Sequence, residues 1–325
     1  MKMYRLMVLA LLPFIALAAV AAPNAKRPVQ IAKSSAKGWK QPSWWLRGNP
    51  YRGALVADAA PGGQILFSHH ATDKAYPASL TKLMTFLLVL EDLRDGRYKL
   101  SDTMVGTVTA AREIPSKIDI RPGETATVHD LLVAIMVKSA NDAAVVLAQN
   151  SEAKRAGRNE IISDDLPNFI ARMNRRAAEL GMKHTRYVSP NGLPPPAGSN
   201  RGFDESTADD ILILARTVLS MPSALSYTSL PFAKIHIGER VVPLYSHNNI
   251  LCGNSIAKIT AKDGRNLVDG LKTGYIDAGG SSIVLTAKSS GRRVLVVLLG
   301  CSSVPERDAM ARRLMLEALS AVSPW

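Results

Sequence analysis

The sequence predicts an α+β fold: a mainly antiparallel sheet built from both chain ends, covered by helices, with a helical lobe inserted between. Three observations predict it. Short apolar runs joined by turn residues lie near both ends of the folded part, helix-period stretches fill the middle, and no internal repeat interrupts the pattern. At 325 residues the chain can bury a sizeable core in one large domain or two modest ones.

Gly53 to Ala59 and Gln64 to Ser68 flank Pro61-Gly62-Gly63, which reads as a β-hairpin. Leu80 to Leu93 is apolar nearly all round and so predicts a buried helix. Val128 to Val137 and Asp142 to Gln149 follow as helices, and Leu166 to Leu180 should stop at a left-handed Gly181. Ser206 to Ser220 opens with Ser206 and Asp209 in capping-box spacing and ends before Pro222. Ser282 to Ala287 and Val294 to Leu299 form a second hairpin around Ser289-Ser290-Gly291, and Pro305 opens a last helix running to about Ala321.

The charge balance is +13, with 40 basic residues against 27 acidic ones, an excess that would ordinarily suggest nucleic acid. Its placement argues against that partner. The first acidic residue is Asp58, nine basic residues precede it, and the rest of the chain carries only 31 against 27. Met1 to Ala22 reads as a secretory signal: Lys2 and Arg5, an apolar run from Leu6 to Val20, and the small residues Ala19-Val20-Ala21. The predicted division is a signal peptide over 1–21, a basic linker over 22–50 and a catalytic domain over 51–325. An uncleaved anchor is the competing reading for the first segment, although its apolar run is shorter than a span needs. The linker carries Trp39, Trp44 and Trp45 among Lys, Arg, Ser and Pro. It is either a solvated tail or a contact to a membrane surface or anionic wall polymer. Cys252 and Cys301 fit an exported protein with one disulfide or two inert buried thiols.

The chemistry is confined to serine and lysine, because the chain has no G-x-S-x-G elbow, no phosphate-binding loop and no metal spacing among its six histidines. No metal or cofactor is expected. Ser-x-x-Lys occurs at Ser34, Ser79, Ser151 and Ser255. Ser34 falls in the linker, Ser151 in a charged patch and Ser255 in a loop, whereas Ser79 opens the buried helix. There the unpaired N–H groups and helix dipole favour an alkoxide and an oxyanion. Lys82, three residues on, lies on the same face and can take the serine proton if burial or a second cation lowers its pKa. Ser139-Ala140-Asn141 and Lys272-Thr273-Gly274 lie 60 and then 133 residues further along, so a helix, a lobe loop and a strand can converge on one cleft.

These three motifs, in this order, resemble those of penicillin-binding proteins and class A β-lactamases. The segment from Pro77 through Ser79 and Lys82 to Thr85, Ser139 to Ala143, Leu180 to Thr185 with Asn191-Gly192-Leu193, and Asp269 to Tyr275 is similar to the D-alanyl-D-alanine carboxypeptidase family of low-molecular-mass penicillin-binding proteins. The resemblance covers roughly residues 53–321 and implies the transpeptidase-like fold. It further implies that Ser79 attacks the bond between two D-alanines, Lys82 is the base, and Ser139 relays a proton to the leaving amine. Asn141 would orient the substrate amide. Lys272 and Thr273 would bind the terminal carboxylate, with Lys272 holding Lys82 neutral, and the N–H groups of Ser79 and Tyr275, beside Gly274, would form the oxyanion hole.

The expected protein is therefore an exported enzyme of the periplasm or cell envelope that trims peptidoglycan stem peptides and is acylated by β-lactam antibiotics. An endopeptidase on peptide cross-links is the near variant. A β-lactamase is disfavoured because no Glu-x-x-Leu-Asn stretch occurs, and a non-catalytic wall-binding relative because Ser79, Lys82 and Lys272 are all present. The loop from Ala110 to Gly123 is where variation near the cleft is expected.

Overall fold

The computed structural model describes residues 51–196, 198–254 and 256–322. The signal segment, the tryptophan-containing linker with its proposed membrane contact, and the motif serines Ser34 and Ser255 lie outside the described residues.

Strands β1 (Gly53–Asp58) and β2 (Ile65–His69) form the first hairpin. Strands β7 (Val268–Ile276), β8 (Gly280–Ser289) and β9 (Arg292–Cys301) come from the far end of the chain. All five join one sheet in the order β2-β1-β9-β8-β7, and every neighbouring pair is antiparallel. Both faces of this sheet are covered, which explains why 294–299 is apolar without alternation. Leu295, Val297 and Leu299 point into the core shared with the helical lobe. Val294, Val296 and Leu298 point the other way, toward Leu314, Met315 and Ala318. Those three belong to helix α9 (Val304–Val322), which closes the sheet as expected.

Between the hairpins, a short 3-10 turn (Ala78–Thr81) runs straight into α1 (Lys82–Arg94), whose residues 82 to 90 are all buried. Strand β3 (Thr103–Val105), helix α2 (Val108–Ala111) and strand β4 (Thr125–Thr127) lead to α3 (Val128–Val133). The helix expected over 128–137 changes pitch at Ala134 and finishes as a π-helical turn through Lys138. Helix α4 (Asn141–Arg155) is longer than its apolar run, because Glu152, Lys154 and Arg155 continue it after the periodicity fades. Ser151 is consequently not in a charged patch: it is buried on α4 and hydrogen-bonded to Tyr98 Oη at 2.9 Å.

Helix α5 (Asp165–Leu180) ends at Gly181 with φ +81°, as the sequence predicts. Helix α6 (Ala208–Leu219) starts one residue later than its predicted cap: Thr207 Oγ1 accepts from the Asp210 N–H, while Ser206 pairs through its backbone with Ala75. Helix α7 (Ala224–Thr228), the hairpin β5 (Phe232–Ile237) and β6 (Arg240–Tyr245), and α8 (Asn249–Cys252) complete the chain between α6 and β7. Cys252 and Cys301 are both free thiols, Cys301 buried and Cys252 half-buried, so the disulfide alternative is not realised. Among the described residues no helix is long and apolar enough to cross a membrane.

The helical lobe is pinned by a buried charge cluster. The Asp92 carboxylate, 1% exposed, accepts from Arg172 at 2.8 and 2.9 Å, from Arg155 at 2.6 Å and from Tyr98 Oη at 3.2 Å. It thereby ties α1 to α4 and α5. Removing Asp92 takes away one of the two carboxylates that face the buried Arg172 guanidinium, Glu152 at 2.7 Å being the other, and breaking a buried pair in this way costs up to about 3–5 kcal/mol. Asp92→Ala is expected to lower the unfolding free energy by up to that amount, read as a lower urea midpoint with no change in the slope of the transition; an unchanged midpoint would show that the cluster carries no net stability.

Candidate active site

Ser79 sits in the 3-10 turn that leads into α1, and Lys82 is the first residue of that helix. The preceding Ala78 is held at φ +51°, a left-handed conformation that costs energy for a residue with a Cβ. Two chain segments clasp the turn at backbone distance. A Cβ added to Gly192 would lie 1.9 Å from the Ala78 carbonyl oxygen, and one added to Gly274 would lie 2.8 Å from that of Pro77. Only glycine fits at either place.

The Lys82 side chain is fully buried. Its Nζ lies 2.9 Å from Ser79 Oγ and donates to Asn141 Oδ1 at 2.7 Å and to the Asn191 carbonyl at 2.7 Å. Burial pulls its pKa down to about 7, against the opposing influence of the Glu113, Asp204 and Asp142 carboxylates. The sequence reading gave a second cation a share in that shift; burial is the cause that lowers it here.

Ser139 terminates the π-helical turn in a left-handed conformation, φ +59°, which swings its hydroxyl toward the sheet. There Lys272 Nζ, from β7, donates to Ser139 Oγ at 2.8 Å and to the Thr273 carbonyl at 2.9 Å. Burial, with repulsion from Lys82 and Arg307, holds the Lys272 ammonium well below the usual lysine range. Thr273 is buried beside it, and Tyr275 stands 57% exposed with its hydroxyl donating to Asp277 at 2.7 Å. Ser79, Lys82, Ser139, Asn141, Lys272, Thr273, Gly274 and Tyr275 thus come together from a helix start, a lobe loop and a strand.

The rest of the arrangement comes from the loop from Ala110 to Gly123 and the second-motif stretch, whose contacts the sequence did not specify, and from Asp204 and His247, which it did not mark. The loop between α2 and β4 wraps the second motif: Asn141 Nδ2 donates to the Ile114 carbonyl at 2.8 Å and the Asn141 N–H to the Ser116 carbonyl at 2.7 Å. The buried Asp142 carboxylate fixes that loop by accepting from the N–H groups of Ile118 and Ile120. The Asp204 carboxylate joins the nucleophile turn to residues 188–192, accepting from Thr81 Oγ1 at 2.7 Å, the Val188 N–H at 2.6 Å and both N–H and Oγ of Ser189 at 3.0 Å. His247 is pushed down to about 4 by burial and by the cations Lys272, Lys138, Lys82 and Arg307, so it is neutral at pH 7. A serine-x-asparagine or Asp-Gly-x-Lys search finds none of these groups, because carbonyls and distant carboxylates leave no local signature.

The chain is similar to known proteins in both sequence and fold. The D-alanyl-D-alanine carboxypeptidase DacF of Bacillus subtilis is 30% identical over 264 residues, covering 79% of this chain and 59% of the relative. DacA of Haemophilus influenzae is 29% identical, covering 78% and 58%. The chain therefore spans less than two thirds of the length of these curated relatives. Among solved structures, penicillin-binding protein D2 of Listeria monocytogenes in its ampicillin-bound form superposes with a TM-score of 0.65 at 27% identity, over 82% of this chain and 96% of that one. PBP3 of Streptococcus pneumoniae gives 0.69 at 28% identity, over 84% and 74%. The family's sequence profile matches residues 52–303, and the chain belongs to the D-alanyl-D-alanine carboxypeptidase family.

Proposed function

We propose that this protein is an exported serine D-alanyl-D-alanine carboxypeptidase that removes the terminal D-alanine from peptidoglycan stem peptides through an acyl-serine intermediate. The observation that carries the reading is the set of partners around Lys82 Nζ. Two of the three, the Asn141 amide oxygen and the Asn191 carbonyl, can only accept hydrogen bonds, whereas the Ser79 hydroxyl can also donate. A neutral Lys82 spends its two N–H donors on the first pair and turns its lone pair to the Ser79 proton. The family membership and the signal-like residues 1–21 support the substrate and the export.

In the proposed reaction Ser79 Oγ bonds to the carbonyl carbon of the penultimate D-alanine as its proton passes to Lys82 Nζ. The N–H groups of Ser79 and Tyr275 take up the oxyanion. Lys272 and Thr273 hold the terminal carboxylate, whose arrival offsets the cost of a charged, buried Lys272. Asn141 aligns the substrate amide. The C–N bond then breaks, Ser139 relays a proton to the leaving amine, and free D-alanine departs. Water adds to the acyl carbon with Lys82 again as base, releasing the shortened peptide and restoring Ser79. A β-lactam presents the same carboxylate and a cyclic amide, but its amine stays tethered after ring opening and obstructs water. The ampicillin in the Listeria protein fits that expectation.

The purified mature protein, given pentapeptide and cross-linked dimeric fragments separately, should release D-alanine from the pentapeptide; product from the dimers alone would make it an endopeptidase, and rapid turnover of penicillin a β-lactamase. After penicillin treatment, peptide mass mapping should place a long-lived adduct on the segment holding Ser79, and Ser79→Ala should remove it. An adduct elsewhere overturns the assignment.

Lys82 acts in its neutral form, so acylation should fall as pH drops through about 7 and level off above it. A rate flat from pH 5 to 9 would remove Lys82 from the role of base. Lys272→Ala should slow acylation by about 100-fold, the scale on which loss of one preorganised charge-stabilising group is felt. An unaltered rate in a folded variant would show that the carboxylate is bound elsewhere.

A further inference from the structure

The loop that wraps the second motif brings one carboxyl group to the base, and the reaction proposed above does not use it. Glu113 is half-buried, and its Oε2 accepts from Asn191 Nδ2 at 3.0 Å. The other end of the same amide is also fixed, because Asn191 Oδ1 accepts from the Leu193 N–H at 3.0 Å. With both ends held and only 2% of the residue exposed, Asn191 has one available orientation. Its backbone carbonyl is the group that receives Lys82 Nζ at 2.7 Å.

We propose that Glu113 is a positioning residue for Lys82: through Asn191 it fixes the carbonyl against which the amine is oriented, and its negative charge favours the protonated amine. The inference rests on the reading of Lys82 as base. A buried ammonium accepts such an arrangement only if its acceptors are fixed, and residues 189–193 form a bend without helix or strand, tied through Ser189 to Asp204, through the Pro190 carbonyl to Thr85 Oγ1 and through the Gly192 N–H to Ser189 Oγ, with the Asn191 side chain left to Glu113 and Leu193. Glu113 adds the restraint on the Asn191 side chain, from a loop 78 residues away in sequence.

The electrostatics run in the same sense. Among the carboxylates that oppose the lowering of Lys82, Glu113 is the foremost, ahead of Asp204 and Asp142. Glu113 itself is raised above the usual carboxylate range by burial, while the Asn191 hydrogen bond, Lys82 and Arg201 pull it down and Asp142 pushes it up. The groups facing the pair from the surrounding elements are thus Asp142 on α4, Arg201 and Asp204 on the segment before α6, His247 between β6 and α8, and Lys272 on β7. Asp204 is committed to four donors from Thr81, Val188 and Ser189, and Asp142 to the N–H groups of its own loop and of Ala143. Glu113 is the carboxylate of the three that reaches the Lys82 acceptor itself.

The test separates restraint from charge. Gln at this position keeps an oxygen for Asn191 Nδ2 and removes the charge; Ala removes both. The rate of acylation by a fluorescent penicillin is measured from pH 5 to 9 for the wild type, Glu113→Gln and Glu113→Ala, with thermal unfolding to establish that each is folded. The acid limb of both variants should move to lower pH by about 0.5 to 1 unit, because an opposite charge that favoured the ammonium is gone. The high-pH plateau of Glu113→Ala should lie about tenfold below that of Glu113→Gln, because Asn191 is released in the former and held in the latter. A purely structural role would lower the plateau and the unfolding temperature without moving the limb. A limb at the wild-type pH in both folded variants overturns the inference while leaving Lys82 as base, and a wild type with no limb overturns the base and this inference together.

Discussion

The site is organised around one constraint, an amine placed where water cannot solvate its charge. A lysine in water is a cation and useless as a base at neutral pH; enclosing Lys82 at the first turn of a fully buried helix brings its pKa down to about 7, where the neutral amine is well populated. Such burial is tolerable only when each polar direction of the amine finds a partner, and the three partners come from different parts of the chain. Much of the surrounding architecture serves to bring them there. The π-helical turn after α3 delivers the second motif, the Asp204 cluster fixes residues 188–192, and the loop between α2 and β4 closes over Asn141.

The second lysine poses the same problem in a different form. Lys272 is as enclosed as Lys82, yet it is held by Ser139 and by the carbonyl of Thr273, and it lies near Arg307 and the neutral His247. A gathering of cations with few counter-ions is costly when empty and is relieved by a carboxylate. The neighbours of the two lysines differ in the way the proposed reaction requires: acceptors and carboxylates face Lys82, the proposed base, and positive charge faces Lys272, the proposed carboxylate holder.

The legible parts of the sequence were those in which local pattern and structure coincide. The terminal hairpins, α1 and the Gly181 stop were readable because turn residues, an all-round apolar run and a left-handed cap act within a few positions. The hairpin of β5 and β6 was not. Ala233 to Ile237 do alternate apolar and polar, but Phe232, Val241 and Tyr245 are exposed apolar residues on the open face and Pro243 sits inside β6, so the alternation does not extend across the hairpin. Likewise the three motifs announced Ser79, Lys82, Ser139, Asn141 and Lys272. Asp204, Glu113 and the carbonyls of Ile114 and Asn191 act over long sequence separations or through backbone atoms that every residue type possesses. The cap of α6 moved by one residue because Ser206 was already committed to pairing with Ala75.

The two glycines that clasp the nucleophile turn have a bearing on when the protein becomes reactive. Gly192 belongs to the lobe side and Gly274 to the sheet, and both press on backbone within two residues of Ser79. Until these segments dock, nothing holds Ala78 in its left-handed conformation or excludes water from the amine. Chemical competence is thus a property of the assembled tertiary structure and not of the Ser-x-x-Lys segment. Under the proposed reaction, an unfolded chain therefore carries an inert serine, and Ser79 gains its reactivity only where and when the whole domain folds.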